Sequence, residues 1–189
     1  MRRADPEGRD PADVRELAYC GVFGAAALLL PVLFHVLQLG RLFMPMYLPL
    51  VALAFFVRPR AAAATAVATP ILSGALTGMP PFYPPIAALM SLELGLSALV
   101  LSVLNLRFPR ANPWLLLAPV LVGGRFLYVG LVYGFARVVE LPAGFVAGVS
   151  LLSGWPGVVL MLVVIPPLVL RFARRKRREP PRPEARKHD

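Results

Sequence analysis

Glu93 and Arg125 are the two ionisable residues that fall deep inside the apolar segments of this 189-residue chain. A charge at bilayer depth costs roughly 2.5 to 3.5 kcal/mol on insertion scales, so it is kept only where it finds a partner or a watery cavity. The pair therefore marks a binding or transport pathway, or else an ion pair that ties two helices together. A mixed use is also open, in which Glu93 orients Arg125 and Arg125 contacts substrate. Gly123 and Gly124 beside Arg125 remove side-chain bulk and permit close approach of a neighbouring helix or a ligand. Other reactive groups are few. Cys20 is the single cysteine, which excludes an intrachain disulfide and a cysteine-based metal site. His35 has no second His, Asp or Glu at metal-ligand spacing and reads as a polar contact in a cavity facing the loops. With no P-loop, no GxSxG and no nucleophile placed beside a base, the chain is not expected to be an enzyme and calls for no cofactor.

The elements that must carry these residues are hydrophobic. Apolar residues make up 58% of the chain against 16% charged, and the mean hydropathy is +0.68, too apolar for a soluble domain. Six apolar segments can be marked, about Glu16 to Leu39, Leu42 to Val57, Ala61 to Leu76, Pro85 to Leu106, Pro113 to Val138 and Trp155 to Phe172. The expected fold is all-α, a polytopic bundle of six transmembrane helices over residues 16–172. A cytoplasmic segment (1–15) precedes it, and a basic, disordered cytoplasmic tail (173–189) follows. The acids ahead of the first segment and the apolar segments after it exclude a cleaved signal peptide. Arginines in the N-terminal segment, at Arg58 and Arg60, at Arg107 and Arg110 and in the tail all fall on one side, whereas the opposite loops hold only Arg41, with Arg137 at a helix end. The positive-inside rule then puts both termini in the cytoplasm.

The net charge of +10 comes largely from the tail, because nine of the 20 basic residues follow Leu170. A basic run directly after a membrane helix fits topology and anionic headgroups, and no RNA-binding fold accompanies it, so nucleic acid is not an expected partner. The second and third segments would span only about 24 Å each, short of a hydrocarbon core of roughly 30 Å. Pro45, Pro49 and Pro70 interrupt them, and the carbonyls so freed need partners. Short, proline-broken helices often border a substrate cavity in transporters, though prolines also kink membrane helices without consequence. Gly21 and Ala25, extended by Ala18, form a small-residue face on the first helix, suited to internal packing or to a membrane partner. Phe82, Tyr83, Trp155 and Tyr47 lie near the outer side, as interfacial rings or as stacking platforms.

Together the runs HVLQLGRLFMPMYLPLVALAFFVRPR, TPILSGALTGMPP, GGRFLYVG and GWPGVVLMLVVIPPLV, with Glu93 on the helix between the second and third, resemble the substrate-binding S component of energy-coupling factor (ECF) vitamin transporters, in the pantothenate-type and related branch. The similarity runs from about Ala18 to Leu170. It implies a six-helix protein in the plasma membrane of a prokaryote that captures a vitamin or related micronutrient on its outer side. It also implies association with a transmembrane scaffold subunit and two cytoplasmic ATPases, with uptake by toppling in the bilayer. The expected substrate contacts are Arg125, Glu93, His35, Tyr83, Tyr128 and Trp155. Family members dock on the scaffold through Ala-x-x-x-Ala on the first helix, and here Gly21 and Ala25 stand at that spacing, beside Ala18. Met161 stands where relatives often carry Gln. A self-sufficient secondary transporter is the competing reading, weakened by the lack of an evident internal repeat, and an intramembrane enzyme is a more distant one.

Overall fold

A computed structural model describes residues 11–36, 45–83, 85–140 and 154–178, and every regular element among them is helical. The order is α1 (Pro11–Val36), α2 (Tyr47–Leu53), α3 (Pro59–Thr77), α4 (Ile86–Arg107), α5 (Pro113–Val138) and α6 (Trp155–Arg178). Four of these are long and apolar enough to cross a membrane, over Ala12–Phe34, Ile86–Arg107, Pro113–Val138 and Trp155–Phe172.

Helix ends follow local chemistry. Both α3 and α5 begin on a proline, whose missing N–H is not needed in a first turn. The Asn112 side chain caps α5 by accepting from the Trp114 N–H at 3.1 Å. Gly78, with φ +73°, closes α3 in the left-handed conformation that glycine adopts without steric cost. The last helix continues six residues past Phe172 into the basic stretch, since Ala, Arg and Lys favour helix until Pro180 disfavours it in the residue before.

The second segment differs most from expectation. Among its described residues, 45–57, only Tyr47–Leu53 is helical, about 10 Å of rise, and the chain then turns through Ala54 to Val57. This short helix is the centre of the bundle: Leu50, Ala52, Leu53 and Ala54 are completely buried, and α2 packs against α1, α3, α4 and α6. Carbonyls at a helix end inside a bilayer need partners. Those after α2 find them on α4, where Ser102 Oγ donates to the Val57 carbonyl at 2.8 Å and Asn105 Nδ2 to that of Phe55 at 3.3 Å. A similar repair serves α6. Pro166 has no N–H for the Leu162 carbonyl, and the Trp114 indole N–H from α5 donates to it at 3.0 Å.

The closest helix pair is α3 with α4. Ala62 and Ala66 are fully buried there, and a Cβ at Gly95 would come within 2.5 Å of Val67 Cγ2, so small residues set the approach. By contrast α1 is peripheral, with Val14, Leu17, Val22, Leu29, Val32 and Leu33 all more than half exposed. It is fastened near its start. Phe56 stacks on Tyr19 and Phe23, with centroids at 5.7 and 5.6 Å, and meets Phe172 edge-on at 5.5 Å. Arg58 pairs with Asp13 at 3.2 Å and Glu16 at 3.5 Å. The first half of α1 and the far end of α6 thus meet at the same end of the bundle.

Candidate functional site

Toward the opposite end, three helices bring ionisable and phenolic groups to one buried point. Tyr47 sits in the first turn of α2 and its hydroxyl donates to Glu93 Oε2. Glu93 follows Ile86 by seven residues, about 10 Å into the bundle along α4. Arg125 of α5 supplies the opposing charge. Glu93 and Arg125 are each 2% exposed and Tyr47 is 4% exposed, so the cluster is shielded from solvent on the protein side.

Glycines set how closely these parts approach. A Cβ at Gly124 would lie 2.8 Å from Ser97 Oγ and 3.2 Å from Glu93 Oε1, which means that α4 and α5 meet across this residue. Gly123, its neighbour, faces open space. Gly154, just ahead of α6, lies directly against the Arg125 guanidinium, and a side chain there would overlap Nη2, Cζ and Nε. On another side the guanidinium carbon is 5.5 Å from the centre of the Tyr128 ring, a cation–π distance. Arg125 is thereby held between a ring one turn along its own helix and the start of α6.

Of the residues singled out in the sequence, Glu93, Arg125 and Tyr128 come together here. Trp155 immediately follows Gly154 and is 39% exposed. Tyr83 is 82% exposed at the end of the loop after α3. That loop folds back on its helix: Ser73 Oγ donates to the Met79 carbonyl at 2.7 Å, and the Phe82 ring would be 3.1 Å from a Cβ at Gly74. His35 belongs to α1, but its side chain, like Arg41 and the loop 141–153, lies outside the described residues. Ala18, Gly21 and Ala25 are exposed on α1, and a Cβ at Gly21 would meet nothing within 4 Å.

Two participants were missed as such. Tyr47 reads in the sequence as an interfacial ring, and no spacing rule links it to Glu93, 46 positions away. Gly154 carries no signal at all, since its role is defined by a guanidinium on another helix. Among the described residues no three His, Cys, Asp or Glu side chains are grouped to hold a metal ion. The cluster can accept hydrogen bonds through Glu93, donate them through Arg125 and the phenols, and present ring faces, which suits binding. The fold and site together define a protein that is all-helical over its described residues, with four helices long and apolar enough to cross a membrane and a buried polar cluster. No protein-family model, curated protein or solved structure matches the chain.

Proposed function

We propose that the chain is the substrate-capture subunit of a membrane importer, of the kind that the S components of ECF transporters represent. In this reading six segments cross or enter the plasma membrane of a prokaryote, with both termini cytoplasmic. A vitamin-like small molecule is bound from outside, and energy comes from a scaffold subunit and two ATPases. The observation that carries the reading is the burial of Glu93, Arg125 and Tyr47 in one cluster of an otherwise apolar bundle. Apolar packing alone would hold these helices together without an acid and a guanidinium whose desolvation is costly, so the cluster supports recognition of a polar ligand. The exposed small-residue face of α1 supports the second half of the reading, because it leaves Ala18, Gly21 and Ala25 open to a partner helix.

Mass spectrometry of small molecules retained by the purified protein tests the proposal. A vitamin-like compound should be found with the wild type and lost from a folded Arg125→Gln variant. Equal retention by that variant would remove Arg125 from the site. Orientation is tested by cysteine labelling of intact cells in a Cys20→Ser background: a cysteine at Tyr83 should react from outside and one at Pro109 should not. The reverse pattern would overturn the assigned topology.

A further inference from the structure

At the arginine-rich end, a cleft of about 620 Å³ opens between α1, α3 and α4. Both α1 and α4 pack on α3, and the start of α3 contributes Pro59 and Ala61 to the lining between them. Its walls divide by polarity. Leu99 and Leu106, two turns apart on α4, form an apolar strip along the helix surface, half-buried at Leu99 and exposed at Leu106. The mouth carries Glu16, Arg58 and Arg60.

These three charges are not equivalent. Glu16 is engaged twice by Arg58, through the guanidinium at 3.5 Å and through the backbone N–H at 2.7 Å, and Arg58 also holds Asp13. Arg60 is exposed in the first turn of α3, and among the described residues no acid lies within ion-pair distance of it. Arg107 follows Leu106 directly, and Arg110 and Arg171 belong to the same end, so the residues there whose side chains are described include six arginines, counting Arg15, Arg58 and Arg60, and only two acids, Asp13 and Glu16. The surroundings favour an anion with an apolar body.

We infer that this cleft binds an anionic phospholipid, with the headgroup phosphate on Arg60 and an acyl chain along Ala61, Leu99 and Leu106. The inference needs only that the helices cross a membrane, and it is independent of what the Glu93–Arg125 cluster binds. An uncharged lipid offers Arg60 no anion, and a zwitterionic one offers the same phosphate but brings its own cationic group to an end already rich in arginine. A free phosphate would leave the leucine strip uncovered. A phosphatidylglycerol-type lipid satisfies both walls.

Native mass spectrometry of the full-length protein in mixed micelles of phosphatidylglycerol and phosphatidylcholine reads the preference directly. Wild type should retain phosphatidylglycerol over phosphatidylcholine, and Arg60→Gln should reduce that preference about fivefold, the effect of one basic side chain at an anionic surface. Arg110→Gln, at the same end but outside the cleft, and Arg137→Gln, in the last turn of α5, should leave it unchanged. Loss of preference in Arg110→Gln equal to that in Arg60→Gln would mean a diffuse basic surface and would overturn the site. Wild-type preference in Arg60→Gln would overturn it too, as would displacement of the lipid by millimolar glycerol phosphate, which lacks acyl chains.

Discussion

Replacing Tyr47 by Phe keeps the ring that fills the start of α2 and removes only the hydroxyl that donates to Glu93. Both residues are at least 96% buried, so bulk water does not stand beside the carboxylate to replace the lost donor. A buried acceptor left unsatisfied costs about 1 to 3 kcal/mol, with hydrogen bonds to charged groups at the upper end. For a chain of 150 to 250 residues each kcal/mol shifts the melting temperature by about 2 to 4 °C, so Tyr47→Phe should melt roughly 2 to 12 °C lower in scanning fluorimetry of the detergent-solubilised protein. Glu93→Gln should also destabilise, because it leaves the Arg125 charge buried without its opposite. Glu93→Leu, unlike Glu93→Gln, also removes the acceptor, so the double variant Tyr47→Phe, Glu93→Leu should fall short of the sum of its two single losses by about 1 kcal/mol, since the hydrogen bond can be lost only once. A Tyr47→Phe protein melting within about 1 °C of wild type, or full additivity in the double variant, would show that the Tyr47–Glu93 contact does not hold α2 against α4.

Gly154→Ala should destabilise the protein and displace Arg125, measured as a lower melting temperature together with loss of retained ligand, whereas Gly123→Ala, facing open space inside α5, should keep the ligand and not lower the melting temperature. Gly21→Leu should leave the melting temperature within about 1 °C of wild type yet reduce co-purification with a scaffold subunit, while Gly95→Leu, pressed against Val67, should lower the melting temperature by several degrees. Unimpaired complex formation by Gly21→Leu would assign that face of α1 to lipid. Trp114→Phe should cost about 1 kcal/mol by orphaning the Leu162 carbonyl. The same change should cost less in a Pro166→Ala background, where a backbone N–H returns to the helix.

The long helices were legible because length and hydropathy suffice for them: α4 and α5 fall within a residue of the expected segments, and α5 over Pro113–Val138 coincides with its own. Glu93 and Arg125 were legible by rarity, as the charges that an apolar bundle has no other reason to keep. Their neighbours were not. Periodicity reports which face of a helix is apolar, but Tyr47 meets Glu93 through the way in which α2 is seated among four other helices, and one-dimensional spacing holds no record of that. The short extent of α2 was hidden for a related reason. The run Leu42 to Val57 is uniformly apolar, so nothing in its composition marks where helix gives way to turn, and the carbonyl acceptors for Ser102 and Asn105 that permit the turn lie about 50 positions earlier in the chain.

That dependence has a consequence for biogenesis. The donors that satisfy the backbone after α2 belong to α4 and are synthesised 45 and 50 residues later. At about 5 to 20 residues per second the nascent chain waits roughly 2 to 10 seconds between exposing those carbonyls and making their partners. Throughout that interval a segment too short to span the bilayer holds polar backbone that lipid cannot solvate. Its final seat therefore forms only once the α3–α4 hairpin has been delivered, so the innermost helix of the finished molecule is set in place after helices that follow it in the chain.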